Sequence, residues 1–334
     1  MIALQLKTPV AFLIFNRPDT TERVFETIRR VRPPQLLVVA DGPRLDWKDD
    51  AEKCAAARAV INRVDWDCKI LKNFSDTNLG CRRRVSSGLD WVFENVDEAI
   101  ILEDDCLPHP DFYRFCEKML EYYRHDTRIM MVCGTNYLLN KATMTDSYFF
   151  ANYYPIWGWA TWRRAWKFYQ VDIKDWGSFG KKKELQWIFG RREIARYYEN
   201  MFKLIYDGYD TWDIQWWFAC IFQHGLAIIP RSNLIANLGI SGTHTQTQGN
   251  LYTNMPTYPL DVDNIFHPEH VFPDVELNRL TYELSHANLD LTIKTALKKR
   301  RIKSVLKVLL PDHVLQVIFK LKKLLKWPVN SQTR

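Results

Sequence analysis

The chain has 334 residues, 47% of them hydrophobic and 25% charged, with a formal net charge of +7. That length supports one large domain or two modest ones, while no run reaches the roughly 18 apolar residues of a bilayer span. The start MIALQLKTPVAFLIFN lacks a cleavage-site pattern, and seven cysteines without a CxxC pair exclude a disulfide framework and a structural zinc site. A reducing, cytoplasmic location is therefore expected.

Residues 10–15 form a short apolar run, expected as a buried strand. Asp19 or Thr20 is placed to cap a helix running to about Val31, which Pro33-Pro34 ends. Residues 36–40 read as a second strand, closed by Asp41-Gly42-Pro43, and residues 48–64 as a helix. Residues 68–71 read as a third strand, and a helix follows from Gly80 to about Asn95. Residues 99–102 make a fourth strand, and a helix runs from Pro110 to about Arg124. This alternation implies an α/β fold with a mostly parallel sheet covered by helices on both faces.

Beyond Arg128 the pattern changes. Aromatics dominate residues 148–166, helices are expected near 182–206 and 213–224, and a strand at 226–230. Residues 237–258 are rich in Gly, Thr, Asn and Gln and read as a long loop of the kind that often binds. Three segments follow: 1–135, 136–290, and a basic tail at 291–334.

Ligands of such sheets bind at the carboxyl ends of the strands. Three polar groups fall there: Asn16-Arg17, Asp41, and Glu103-Asp104-Asp105. Adjacent acids repel one another unless a cation is present. A hard divalent ion, Mn2+ or Mg2+, accepts carboxylate oxygen and bridges to phosphate. The bland reading is a solvated acidic turn. No GxGxxG follows the first strand and no P-loop is present, which disfavours a dinucleotide fold and an NTPase.

Several segments, taken in order, carry a resemblance. AIILEDDCLPHPDFYRFCEKML resembles the strand, acidic motif and helix of the N-acetylglucosaminyltransferase I family. VAFLIFNRPDTTERVFETIRRVRPPQLLVVADG resembles that family's first strand, helix and second strand, and RRRVSSGLDWVF the helix before the acidic motif. YYPIWGWATWRRAW, TWDIQWWF and IIPRSNLIANLGISGTH resemble its acceptor-side, catalytic and nucleotide-closing segments. The likeness covers roughly residues 8 to 250. It implies a GT-A fold, Rossmann-like and built for nucleotide-diphospho-sugars, and inverting transfer from a UDP-sugar with a divalent cation.

Carried over residue by residue, the resemblance puts Asn16 and Arg17 on the nucleotide and makes Asp41 the acceptor of the uracil imino proton. Arg84 falls on the nucleotide, with Arg82 or Arg83 as substitutes. Asp104 holds the ribose or donor sugar, Glu103 the sugar hydroxyls, and Asp105 the metal. Ile240 and Ser241 lie against uridine phosphate, and His244 is a weaker ligand for metal or phosphate. Asp213 is the general base, which inverting transfer requires, with Asp210 as its rival. Trp157, Trp159 and Trp212 lie on the acceptor side, and Trp157, Trp159 and Trp162 offer a sugar platform. Bland readings stand beside these: Arg17 pairs with Asp19 or Glu22, Asp41 caps a turn, Asp213 caps a helix, His244 is solvated, and the tryptophans are core. N-acetylglucosamine as the donor sugar, and a glycan or lipid-linked glycan as the acceptor, follow from the resemblance alone.

The tail from residue 294 to 334 holds 12 Lys or Arg and one acid, Asp312. The remainder carries 34 basic and 38 acidic residues, so the positive charge belongs to the tail. Within 294–327, apolar residues recur at helical spacing beside a lysine-rich face, and Pro311 divides the stretch into two amphipathic helices. That composition suits peripheral binding to the anionic inner membrane; the alternative is a helix packed on its own core. Nucleic acid is disfavoured because the body is net acidic. Two other functions remain open: a sugar-nucleotide nucleotidyltransferase, and a noncatalytic glycan- or membrane-binding protein of the same fold.

Overall fold

The structure is a computed structural model that describes residues 5–139, 142–178, 182–239 and 254–284. Met1–His286 forms one compact unit, and Ala287–Arg334, which includes the basic tail, lies outside the described residues. In the first half the elements follow the expected alternation: β1 (Val10–Ile14), α1 (Pro18–Val31), β2 (Gln35–Ala40), α2 (Asp50–Ala59), β3 (Lys69–Phe74), α3 (Gly80–Asn95) and β4 (Glu98–Glu103). Then come β5 (Cys106–Pro108), α4 (Pro110–Tyr122), β6 (Ile129–Cys133), β7 (Tyr148–Ala151), β8 (Trp159–Trp162) and α5 (Arg163–Trp166). The described chain continues with α6 (Lys182–Phe189), α7 (Arg192–Tyr206), α8 (Asp213–Phe222), β9 (Leu226–Pro230) and β10 (Ile235–Asn237).

One sheet has the order β3-β2-β1-β4-β8-β6-β9-β7. The first four strands pair in parallel, and β9 is parallel to β6. Only β8, inserted antiparallel between β4 and β6, and β7 at the edge run the other way. The sheet is thus mostly parallel and flanked by helices, as expected. Every residue of β1 and of β6 to β9 is buried, which is why β1 and β9 read as unbroken apolar runs rather than alternating ones.

Side chains alternate across this sheet. Val10, Phe12, Ile14, Val38, Ile100 and Leu102 share one core cluster with Val24, Phe25 and Ile28 of α1 and Phe112 and Phe115 of α4. The buried stripe of α1 (Thr21, Val24, Phe25, Ile28, Val31) has the helical spacing that lets one face reach the sheet. On the opposite face α3 lies against β2, close enough that a Cβ at Gly88 would sit 2.4 Å from Val39 Cγ1. That contact fixes where the N-terminus of α3 meets the end of β2.

Several boundaries differ from expectation. Helix α1 opens at Pro18, with Arg17 before it and no side-chain cap, so neither Asp19 nor Thr20 caps it. Proline at the first helical position supplies the fixed φ and lacks only an N–H that would have no helical partner. The helix expected over 182–206 is broken at Gly190, whose φ of +63° ends α6. The aromatic stretch contains two short strands, β7 and β8, that its sequence does not announce.

Candidate active site

Because β1, β2 and β4 are parallel neighbours, their carboxyl ends lie on one edge, with Leu13 opposite Glu103 and Ile14 opposite Ala40. Arg17, three residues past β1, reaches across to the end of β4. Its Nη2 lies 2.6 Å from Asp104 Oδ1 and its Nη1 2.7 Å from Asp105 Oδ2. Burial works against the guanidinium's charge, but Asp104, Asp105 and Glu103 outweigh it and raise its pKa. The pairing with Asp19 or Glu22 is not formed; Glu22 pairs with Arg63.

The three acids have different surroundings. Asp104 is buried; its Oδ2 accepts from the backbone N–H of Phe15 at 3.0 Å while Arg17 holds Oδ1. Its carboxylate therefore ties β1 to β4, and removing Arg17 would leave it without its cation. Asp105 is partly exposed. Glu103 is half-buried and has its pKa raised, first by burial and then by Asp105, Asp104 and Asp213, with Arg17 acting in the opposite sense. One guanidinium does not neutralise this cluster, and Asp213 adds to its negative potential.

The end of β2 is built differently. Asp41 Oδ1 accepts from the N–H groups of Gly42 and Leu79, both at 2.9 Å, and Oδ2 from Gly80 N–H at 3.1 Å and Asn78 Nδ2 at 3.0 Å. A carboxylate offers about four lone-pair sites, and all four are used. To accept the uracil imino proton, Asp41 would have to give up one of these donors at the start of α3. Burial nonetheless raises its pKa.

Arg84 is engaged within the fold as well. It is buried and turned toward β3, where Nη2 donates to the carbonyl and the side-chain oxygen of Asn73 at 2.6 and 2.8 Å. Arg82 does not replace it, being held by the Val171 carbonyl and Asp172. Asn16 turns to Asp50, which Arg44 grips through its N–H, Nε and Nη2. Arg44 in turn lies over the ring of Trp47, 3.9 Å from its centroid. This Asn16–Asp50–Arg44 network was missed in the sequence, where Asp50 is only one of several acids between Asp46 and Glu52.

Asp213 is half-buried at the start of α8. Its Oδ1 accepts from Ile214 N–H at 2.9 Å and from the Thr211 hydroxyl. It acts on both Glu103 and Cys81, raising the pKa of each. The α8 terminus thus lies within electrostatic reach of Glu103 at the end of β4. Asp210 instead accepts from Arg82 N–H at the first turn of α3. Cys81, unremarked in the sequence, lies among Glu103, Asp213, Asp210 and Asp41, which with burial push its thiol up.

The tryptophans expected on the acceptor side divide. Trp159 is fully buried and Trp212 nearly so; their rings stack at 5.9 Å, and Trp216 adds a third ring. Trp162 is buried with its indole N–H on the Leu120 carbonyl. Trp159, Trp212 and Trp216 pack the α8 terminus against β8, while Trp162 lies toward the end of α4. Trp157 is partly buried and packs edge-on to Tyr137.

A short ladder closes beside the acids. Asn237 of β10 lies opposite Cys106 of β5, and Leu238 N–H donates to the Asp105 carbonyl at 2.7 Å. A Cβ at Gly239 would lie 2.4 Å from Asp105 Oδ2 and 3.3 Å from Arg17 Nη1, so any side chain there would push the Asp105 carboxylate from its place. Asn254 N–H returns to the Asn237 carbonyl at 2.8 Å. Ile240, Ser241 and His244 lie outside the described residues, as does the stretch 294–327.

Among the described residues, no group of three or more His, Cys, Asp or Glu side chains is arranged to hold an ion. The acids do fit a cation shared with a phosphate ligand, because such ions use one or two carboxylates and complete their shell with water and phosphate oxygen. Asp105 and Glu103 are the pair available: Asp104 has both oxygens engaged, by Phe15 and Arg17, whereas Asp105 gives only Oδ2 to Arg17.

Among the described residues no helix is long and apolar enough to cross a membrane. No protein-family model matches the chain, and no curated protein matches it. Among solved structures it is similar to a UDP-glucose pyrophosphorylase complexed with UDP-glucose, at 9% identity and a TM-score of 0.22 over 38% of this chain. The chain spans 56% of that protein, a little over half its length. It is also similar to mouse xyloside xylosyltransferase 1, at 10% identity and a TM-score of 0.30 over 64% of this chain and 81% of that one. At these scores neither likeness decides an activity.

Proposed function

We propose that the chain is an inverting glycosyltransferase of the GT-A type that moves a sugar from a UDP-sugar to a glycan hydroxyl with help from Mn2+ or Mg2+. The observation that supports this reading is the placement of Asp213 within electrostatic reach of Glu103, beside the acids that Arg17 clamps. It supplies both halves of the reaction, a base on one side and a site for a diphosphate and its cation on the other.

Asp213 takes the proton of the acceptor hydroxyl as that oxygen bonds to the anomeric carbon. The bond from that carbon to the diphosphate oxygen breaks, and its electron pair leaves with UDP. Asp105, with Glu103 beside it, would hold the cation, which stabilises charge on the leaving diphosphate. Arg17 adds a fixed positive group at the same edge. In the reading that follows the N-acetylglucosaminyltransferase I resemblance, the donor is UDP-N-acetylglucosamine. The basic tail supports a peripheral place on an anionic membrane, where a lipid-linked glycan would be the acceptor.

The test is a thermal-shift screen of UDP-, GDP- and dTDP-sugars with and without Mn2+, since a ligand of the folded state raises its melting temperature. A shift with UDP-sugars that needs Mn2+ and disappears in Asp105→Ala supports the reading. Unchanged Mn2+-dependent binding by that variant refutes the metal assignment.

A further inference from the structure

With Trp159 and Trp212 in the core, another surface must receive the acceptor. Three loops meet beside Asp213, and each presents one exposed apolar side chain: Leu79 before α3, Val171 after α5, and Tyr209 before α8. The loops are tied to one another. Arg82 donates through Nε and Nη2 to the Val171 carbonyl at 3.1 and 2.8 Å, and its own N–H donates to Asp210. Gln215 Nε2 donates to the carbonyls of both Thr211 and Val171. The Cβ of an alanine at position 80 would lie 3.4 Å from Asp210 Oδ2, so the Leu79 and Tyr209 loops touch. Tyr209 stands near the proposed base: besides burial, Asp213, Asp210 and Cys81 all raise its phenol pKa. It is therefore a neutral, half-exposed ring at the mouth of the acidic site.

We propose that Tyr209, flanked by Leu79 and Val171, is the acceptor platform and that it selects a neutral pyranoside. The flat CH face of a pyranose stacks on an aromatic ring, leaving its edge hydroxyls free to reach Asp213. The charges around the rim set the class. Asp210 and Asp213 act on its ring, Glu103 acts with them on the neighbouring Cys81, and the Arg82 guanidinium is taken by Asp172 and the Val171 carbonyl. A uronate or phosphorylated sugar would meet the negative potential of Asp210 and Asp213 and be disfavoured. This inference rests on the transferase reading, since it uses Asp213 as the base.

The experiment is saturation-transfer NMR on the full chain with UDP and Mn2+, probing methyl β-D-glucopyranoside, methyl β-D-galactopyranoside, methyl β-D-mannopyranoside and methyl β-D-glucuronide. Acceptor kinetics with a UDP-sugar accompany it. Binding of at least one neutral glycoside but not of the glucuronide is expected. Tyr209→Ala should weaken that binding and raise acceptor KM by about three- to tenfold, the worth of one ring stacking contact. Any change in UDP-sugar KM should be smaller, and Tyr209→Phe should keep the wild-type values. Preference for the glucuronide, or a Tyr209→Ala variant with unchanged glycoside binding, overturns the platform. Wild-type protein that binds neutral glycosides through Tyr209 yet never turns over a UDP-sugar refutes the transferase reading and leaves the platform standing.

Discussion

The ends of β2 and β4 lie on the same edge of one sheet, and both carry buried carboxylates, yet they are put to opposite uses. At β2, Asp41 is saturated by four N–H donors and builds the first turn of α3. At β4, Glu103, Asp104 and Asp105 lie around one guanidinium among the described residues, Asp213 of α8 acts on Glu103, and burial with mutual repulsion raises the pKa of Glu103. Hydrogen-bond saturation marks a carboxylate that holds structure. Excess charge marks one waiting for a positive partner.

The comparison breaks most visibly at Asp213. Replacement by Asn keeps the shape and much of the hydrogen bonding to Thr211 and Ile214 but removes the base. Sugar transfer should fall by about a hundred- to ten-thousandfold while UDP-sugar binding persists. Equal turnover by the variant and the wild type would end the base assignment. Asp41→Asn, by contrast, should affect transfer only through folding.

Arg17 provides the next largest effect. Arg17→Ala leaves the Asp104 carboxylate buried without its cation, a change that typically costs about 3–5 kcal/mol. If the cluster is a cation site, Mn2+ should recover part of that loss, and more than it adds to the wild type. Urea unfolding at several Mn2+ concentrations measures both, and a loss that Mn2+ leaves untouched would show the acids to be a purely internal ion-pair network. At the other strand end, Asp41→Ala orphans the N–H groups of Leu79 and Gly80 and should cost about 1–3 kcal/mol. Its affinity for UDP, measured by calorimetry below the unfolding transition, should stay within a few-fold of wild type; a complete loss would restore Asp41 as a reader of uracil.

Much of this was legible in the sequence, and the failures have physical causes. β1, β2, β4 and α3 were readable because a strand buried on both faces is an unbroken apolar run, and Gly80 and Asn95 bound a helix whose limits match. The convergence of Arg17 with Asp104 and Asp105 followed from strand-end placement alone. β7 and β8 were not readable: they are four residues long, and their tryptophans and tyrosines suit a ligand surface as well as a core. Arg84 was not told apart from its neighbours because three consecutive arginines look alike in sequence. On a helix each points about 100° from the last, so Arg82 and Arg84 face different partners. The saturation of Asp41 depends on the backbone N–H groups of Leu79 and Gly80, which carry no side-chain signature at all.

The smallest effect separates two carboxylates, Asp41 after β2 and Asp50 at the start of α2, by the sign of their pH dependence. Asp50 is held below the usual carboxylate range, chiefly by hydrogen bonds from the Arg44 side chain. A depressed folded pKa means that the unfolded chain takes up a proton first. Its stabilisation is therefore present above the ordinary aspartate value of about 3.9 and is lost as pH falls toward the lowered one. Asp41 is raised by burial, so the folded chain holds its proton longer, and its contribution declines as pH rises from about 3.9 through the raised value. Asp50→Asn should thus be less stable than wild type at pH 7, with the gap narrowing on acidification, while Asp41→Asn should show a gap that narrows as pH rises. Urea midpoints at a series of pH values from neutral to strongly acidic read both slopes. Parallel slopes in the two variants would mean that these carboxylates are not distinguished by their surroundings, and the contrast between hydrogen-bonded and charge-paired acids would fail for the pair in which it is most directly measured.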